Sequence, residues 1–360
     1  MNSPRTSVQP SDLSAVLSER LFTQGSLPRY APGVTLAAAI VVGGVLHLSG
    51  VASGLAAVAV VVLYAVAIYG WSLAVEGARK AKNRVVTTVV TAAFLLALLP
   101  LISVVITVVG NGVGRLDVEF FTYSMHGVVG EGGGVYHAIM GTLLITALAT
   151  VISVPVGMLC AIYLVEYAKG KLGRAITFFV DVMTGIPSIV AGLFAYALFA
   201  LIFGPGVRMG VMGAVALSVL MIPIVVRSTE EMLRLVPAEL REAAYALAVP
   251  KWRTIVKVVL PTAGAGIATG VTLAIARVVG ETAPLLVTVG ITTGVNMNPF
   301  DDRMATLPVF AYRQFMSPGL PPEPAIDRAW TAALLLVAVV MLLNLVARLI
   351  SRLFAPKARA

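Results

Sequence analysis

Hydrophobic residues in this chain gather into long runs that contain almost no charged residue. Runs of this length match the helix needed to cross a hydrocarbon core of about 30 Å. The pattern therefore predicts an all-α polytopic membrane protein with about eight transmembrane helices. The predicted spans are residues 34–48, 51–71, 85–109, 138–165, 176–203, 210–226, 264–289 and 329–350.

Composition supports the same class. The chain is 59% hydrophobic and 12% charged, whereas soluble proteins are about a quarter charged. The single cysteine, Cys160, excludes a disulfide framework and a cysteine-ligated metal cluster. No cofactor or metal site is predicted, and the basic residues flank apolar runs rather than forming the patch that nucleic acid binding requires.

Proline and glycine interrupt several of the later spans. Pro155, Pro223 and the Gly185-Ile186-Pro187 stretch lie within apolar runs. Such residues indicate kinked helices around a path or an interface. A kink that serves packing alone is equally compatible with any single proline.

The positive charges predict how the chain is oriented. Of the 26 Lys and Arg residues, 20 fall in segments assigned to the cytoplasm and five in segments assigned outside, with Arg277 inside a span. Cytoplasmic loops carry the excess of Lys and Arg, so both termini are expected inside. The domains expected are a cytoplasmic arm (1–30), a transmembrane hairpin with a basic loop (31–84), a core (85–350) and a cytoplasmic tail (351–360).

Residues 237–261 form a polar, amphipathic loop between two spans. Pro237 can open a helix, and the acidic residues that follow favour its positive end. An apolar face with small residues follows at helical spacing, and Pro250 is expected to end that helix. A second short helix, residues 252–260, is expected to stop at Pro261. The apolar face consists of Leu240, Ala243, Ala244 and Leu247.

This loop resembles the "EAA" loop of ABC-importer permeases, a cytoplasmic coupling helix that docks on an ATPase subunit. The resemblance is carried by Glu242-Ala243-Ala244 and by Leu260-Pro261 at the family's distance. The family's glycine falls on Ala248, and because alanine adopts a positive φ less readily than glycine, a different turn is expected there. The resemblance implies these ATPase-coupling residues: Glu242, Ala243, Ala244, Ala248, Leu260 and Pro261.

Two charges lie inside the seventh predicted span. Arg277 is 13 residues beyond Gly264, which places it near the bilayer midplane at about 1.5 Å per residue. Glu281 follows at i+4, on the same face of a continuous helix. Arg277 can offer its guanidinium to an oxyanion, with Glu281 holding or competing for it. A self-contained ion pair that fixes helix packing is the alternative.

The stretch from Arg277 to Leu286 resembles the hallmark of phosphate ABC-transporter permeases of the PstA type, and residues 181–190, 223–231 and 235–242 agree. The resemblance covers residues 84–350 and implies a type I importer core with a MetI-like fold. It implies a bacterial plasma membrane location and substrate-pathway roles for Arg277, Glu281, Thr282 and Arg227. The partners implied are a PstC-like permease, a PstB-like ATPase dimer and an extracytoplasmic phosphate-binding protein.

Other functions are less consistent with the sequence. No G-x-x-x-x-G-K-[ST] motif occurs, so the chain is expected to take its energy from a partner and not to be an enzyme. The three histidines and one cysteine form no catalytic set. A secondary transporter would show related halves, and none is visible. A permease for another oxyanion, such as sulfate or molybdate, remains open because a midplane arginine suits those anions too.

Overall fold

A computed structural model describes residues 25–168 and 170–354, and these residues form helices and loops without any strand. Within this part, seven helices are long and apolar enough to cross a membrane, or eight if one bent pair counts as a span. The chain is therefore a multi-pass membrane protein, as predicted. Residues 1–24 of the predicted arm and 355–360 of the predicted tail lie outside the described residues.

The chain divides into two compact units, of which the first ends at Val105 and the second begins at Ile106. The first unit contains helices α1 (Ala31–Leu48) and α2 (Ser53–Glu76) and most of α3 (Ala78–Gly112). Helices α1 and α2 form the predicted hairpin. They approach closely because Gly43 has no side chain: a Cβ there would lie 2.2 Å from Val60 Cγ2.

The second unit holds the remaining helices. They are α4 (Val118–Thr122), α5 (Tyr136–Ile162), α6 (Lys171–Thr184), α7 (Ser188–Phe203), α8 (Gly210–Arg234), α9 (Ala238–Ala246), α10 (Lys251–Thr254), α11 (Leu260–Val279), α12 (Ala283–Thr288), α13 (Leu307–Met316) and α14 (Glu323–Phe354). One π-helical turn, Tyr163–Tyr167, extends α5, and another, Ile255–Val259, joins α10 to α11. A single 3-10 turn, Val113–Arg115, follows α3.

Helix α8 lies at the centre of the second unit. Of its most apolar stretch, 61% is buried within the protein. Leu217, Met221 and Val225 of α8 form one buried cluster with Ile145 of α5 and Ala274 of α11. These contacts bring α5, α8 and α11 together as the core that positions the candidate site.

The fifth predicted span, residues 176–203, is not one straight helix. Helices α6 and α7 meet at an angle of 108° across the Gly185-Ile186-Pro187 stretch. Pro187 lacks an amide hydrogen and disfavours helical geometry at the residue before it, which separates the two helices. The expected kink is therefore a complete break, and α7 alone has 16 residues, about 24 Å.

For the seventh span, predicted at residues 264–289, both predicted ends differ from the structure. One continuous helical stretch runs from Lys251 to Val279 over 29 residues. The second short helix of the loop is therefore the start of this spanning helix. Proline in the middle of a regular helix would break it. Here the helical stretch continues because the π-helical turn Ile255–Val259 precedes α11 and Pro261 lies in the first turn of that helix.

Candidate functional site

The coupling-loop helix α9 presents most of its predicted apolar face to solvent. Ala244 is buried, with 8% of its surface exposed, whereas Leu240 and Leu247 are 41% and 79% exposed. Glu242 and Ala243 are exposed as well. Among the described residues of this face, Ala244 alone is buried against the chain, and the rest of the face is exposed.

A buried ion pair holds α9 against the rest of the chain. Arg241 Nε donates to Glu166 Oε1 over 3.0 Å, and the Glu166 side chain is only 6% exposed. The other two guanidinium nitrogens of Arg241 donate to the carbonyl oxygens of Val236 and Leu233 over 2.7 and 2.9 Å. Lys251 donates to the backbone carbonyl of Glu166. The loop is thus tied to the end of α5.

Ala248 makes the turn that was expected to need glycine. Its φ is +57°, in the left-handed region that costs an L-residue roughly 1–2 kcal/mol. Val249 N donates to Ala244 O over 3.1 Å and Ala248 N donates to Tyr245 O over 2.9 Å, the two hydrogen bonds of a Schellman motif. The expectation of a different turn was therefore wrong.

The last two residues predicted to couple to the ATPase lie in a membrane-spanning helix rather than in the loop. Leu260 is half-buried and Pro261 is exposed, both in the first turn of α11. The loop proper thus consists of α9 and the turn that leads to α10.

Arg277 lies in the last turn of α11. It is 26 residues beyond Lys251, about 39 Å along the helical stretch, so it lies near the end of this helix, and its depth in the bilayer stays a prediction. Its side chain is exposed, as are Leu273 and Gly280 at i−4 and i+3. Arg277 therefore projects from the face of α11 that points away from the core.

Glu281 is not on the same helix as Arg277. Helix α11 ends at Val279, and no ion pair joins Arg277 to Glu281 in the described chain. Pro284 explains the break, because it lacks the amide that would donate to Gly280 O in a continuous helix and its ring would clash there. The predicted i, i+4 pair was wrong for this reason.

Small residues hold the broken segment against α7 and α8. A Cβ on Gly192 of α7 would lie 2.6 Å from Pro284 Cα, and one on Gly213 of α8 would lie 2.4 Å from Val289 Cγ1. This packing leaves Glu281 and Thr282 half-buried in the break that precedes α12. The segment thus places a carboxylate and a hydroxyl near the end of α11.

Arg227, by contrast, contacts two carboxylates. It lies inside α8 rather than beyond its end, and it donates to Asp181 of α6 and, over 3.0 Å, to Glu230 Oε2. Arg234 donates to the other oxygen of Glu230 over 2.6 Å. Asp181 and Arg227 are 46 residues apart, so no sequence pattern indicated this network.

Comparison with known proteins identifies the family. Residues 153–360 match the model of the binding-protein-dependent transport system inner membrane component. The chain is 46% identical over 275 residues to phosphate transport system permease protein PstA 1 of Mycobacterium tuberculosis (strain ATCC 25618 / H37Rv), covering 76% of this chain and 88% of that protein. The chain belongs to the PstA permease family.

Other relatives agree with this placement. The PstA protein of Yersinia pestis is 40% identical to this PstA-family chain over 277 residues, 76% of this chain and 90% of that protein. A chain of a bacterial alginate ABC transporter, crystallised with an alginate pentasaccharide-bound periplasmic protein, superposes with a TM-score of 0.55 over 75% of this chain and 95% of that chain at 13% identity. The structural likeness concerns the fold alone.

Proposed function

We propose that this PstA-family chain is the transmembrane permease subunit of an ATP-driven inorganic phosphate importer and forms half of its translocation path. The identity to PstA relatives across nearly their whole length carries this proposal. Its partners are a PstC-like permease, a PstB-like ATPase dimer and an extracytoplasmic phosphate-binding protein. The chain itself contributes no nucleotide site and acts as a transport subunit.

Helix α9 is proposed as the contact with the ATPase. Its outward face offers Leu240, Ala243 and Leu247, while Arg241 and Glu166 fix the helix to α5. A helix that is exposed on one face and rigidly attached on the other can pass a movement of the ATPase to the spans. Glu242 lies in the middle of this contact and the Ala248 turn at its C-terminal end.

Arg277 is proposed as the group that meets the anion. Its exposed guanidinium has no carboxylate partner among the described residues, so its charge is available to an oxyanion between two permease subunits. Glu281 and Thr282, half-buried in the adjacent break, would line the same path. Arg227 joins the path only in a state in which Asp181 has released it.

Uptake by the complete complex tests this function. We expect proteoliposomes that contain all four kinds of subunit to accumulate radiolabelled phosphate only when ATP is enclosed on the cytoplasmic side. Liposomes without the binding protein provide the control. Accumulation of sulfate or molybdate in place of phosphate, or uptake that needs no ATP, would overturn the proposal.

A further inference from the structure

An apolar cleft of about 490 Å³ lies between α2 and α3 in the first unit. The lining residues recur three or four positions apart on each helix, so each helix contributes one face. They are Ala65, Val66 and Tyr69 of α2 and Lys82, Val85 and Val86 of α3. Lys82 provides the one charge among them.

A buried carboxylate fixes the elbow between these helices. Glu76 accepts hydrogen bonds from Leu27 N over 2.8 Å and from Ser72 Oγ over 2.8 Å. Arg84 donates to both its oxygens, over 2.7 and 3.0 Å. The next residue, Gly77, has a φ of +85°, a conformation that glycine adopts without strain. The charge of Arg84 is thus satisfied within the elbow.

The other basic side chains of the elbow lack such a partner. Arg79, Lys80 and Lys82 are exposed, and none forms an ion pair within the described part of the chain. Of these three, Lys82 alone lines the cleft. The long stem of a lysine can lie along an apolar wall while its ammonium reaches the polar headgroup region. Lys82 therefore offers, at the rim of an apolar cleft, a positive charge that has no ion-pair partner among the described residues.

We propose that this cleft binds an anionic phospholipid, with one acyl chain between α2 and α3 and the headgroup phosphate on Lys82. Apolar walls bury the methylene groups of the chain, and a basic pocket between membrane helices attracts an anionic headgroup. A helix from another protein would fit this cleft less well than an acyl chain. One turn of a helix, about 10–12 Å in diameter with its side chains, already has about the volume of the cleft, so the rest of the helix would find no space there. The site is independent of the proposed transport function, and it lies outside the residues matched by the family model.

Lipid retention by the purified full-length chain tests this site. Native mass spectrometry would compare phosphatidylglycerol with phosphatidylcholine of identical acyl chains. We expect the wild type to retain phosphatidylglycerol preferentially and Lys82→Gln to lower that retention about fivefold, the effect of one lysine near a membrane surface. Lys80→Gln, which removes the same charge from the same elbow outside the cleft, should change little, and Lys82→Arg should preserve retention.

A second variant tests the cleft rather than the charge. Val86→Trp fills the cleft while Lys82 remains, so it should reduce retention of both lipids, with the thermal midpoint as a check on folding. Equal losses in Lys80→Gln and Lys82→Gln, or no preference for phosphatidylglycerol in the wild type, would refute the site. A photo-cross-linker at position 86 that captures a protein segment, including residues 1–24 of this chain, instead of lipid would refute it as well.

Discussion

The basic residues near the two ends of the helical stretch Lys251–Val279 differ in whether they have a bonding partner within the described chain. At its start, Lys251 and Arg241 both donate to Glu166, and Arg241 also caps two backbone carbonyl oxygens. At its end, Arg277 is exposed and forms no ion pair with Glu281. Charges bound to buried partners fix geometry, whereas an exposed arginine without a partner is available to a ligand. The first end holds the loop in place, and we propose that the second end meets the anion.

Labelling of single cysteines from each side of the membrane tests, with an all-or-none result, whether the start of this helical stretch lies on the cytoplasmic side. In a Cys160→Ser background, a cysteine in place of Leu247, 79% exposed beside the first end, should react with an impermeant thiol reagent only from the cytoplasmic side. A cysteine in place of Val129, 94% exposed in the loop before α5, should react only from outside. The opposite pattern of labelling would invert the orientation.

Removing the charge of Arg277 should have the largest graded effect. Arg277→Gln keeps a similar length, but a lost charge contact is worth about 2 kcal/mol or more, so phosphate uptake should fall at least about thirtyfold. Since Arg277 forms no ion pair with any described residue, the thermal midpoint should stay unchanged. Arg277→Lys serves as the control that retains charge.

The relation between Arg277 and Glu281 can be measured directly. A double-mutant cycle with Arg277→Gln and Glu281→Gln should give a coupling energy for unfolding near zero, because the two side chains form no ion pair. Uptake should remain lost in the double variant. Recovery of uptake there would show that the two residues act only as a pair.

Arg241→Gln should destabilise the protein itself. It leaves the buried carboxylate of Glu166 unpaired, which costs about 3 kcal/mol, and it removes hydrogen bonds to two carbonyl groups. The thermal midpoint should drop, and uptake should fall in proportion to the folded complex recovered. Arg253→Gln, which neutralises an exposed arginine nearby that has no ion pair in the described chain, is the matched control.

Neighbouring alanines separate docking from packing. Ala243 is exposed and Ala244 buried, so Ala243→Trp should lower uptake and ATP hydrolysis together, severalfold, at an unchanged thermal midpoint. Ala244→Trp should instead destabilise the chain by about 1–3 kcal/mol, as overpacking does. Equal thermal midpoints for the two variants would contradict the observed orientation of α9.

Ala248→Gly should produce the smallest change, and a favourable one. Glycine relieves the cost of the left-handed conformation but gains freedom in the unfolded chain, so we expect a net stabilisation of about 0.5–1 kcal/mol. Denaturation of the purified chain in detergent measures it. Destabilisation would mean that the alanine side chain makes a contact worth more than the strain.

Most of the fold follows from hydropathy, because six of the eight predicted spans correspond to single helices whose ends differ from the prediction by up to eight residues. The exceptions are the spans around Pro187 and Pro284. In both, the apolar run continues while the helix stops, since a missing amide breaks a helix without lowering hydrophobicity. If Gly280 and Pro284 are taken to mark the end of the helix, Glu281 is predicted to lie beyond the helix that contains Arg277.

The candidate site could be predicted only where it depends on residues that are close together in the sequence. The exposed helix of the coupling loop follows from residues 237–250, and Arg277 stands out as the one basic residue within an apolar run. The bonds between Arg241 and Glu166, 75 residues apart, and between Arg227 and Asp181 depend on helices that come together in three dimensions. No periodicity in the sequence reports such contacts, so neither Glu166 nor the carboxylate partners of Arg227 were predicted.

Phosphate uptake and the thermal midpoint, measured side by side for Arg277→Gln and Arg241→Gln in the reconstituted complex, test the central claim most directly. The account predicts that Arg277→Gln assembles with a wild-type midpoint and transports almost no phosphate. It predicts that Arg241→Gln melts at a lower temperature and that its surviving complexes still transport. Normal uptake by Arg277→Gln, or a lowered midpoint in that variant with wild-type stability in Arg241→Gln, would contradict it.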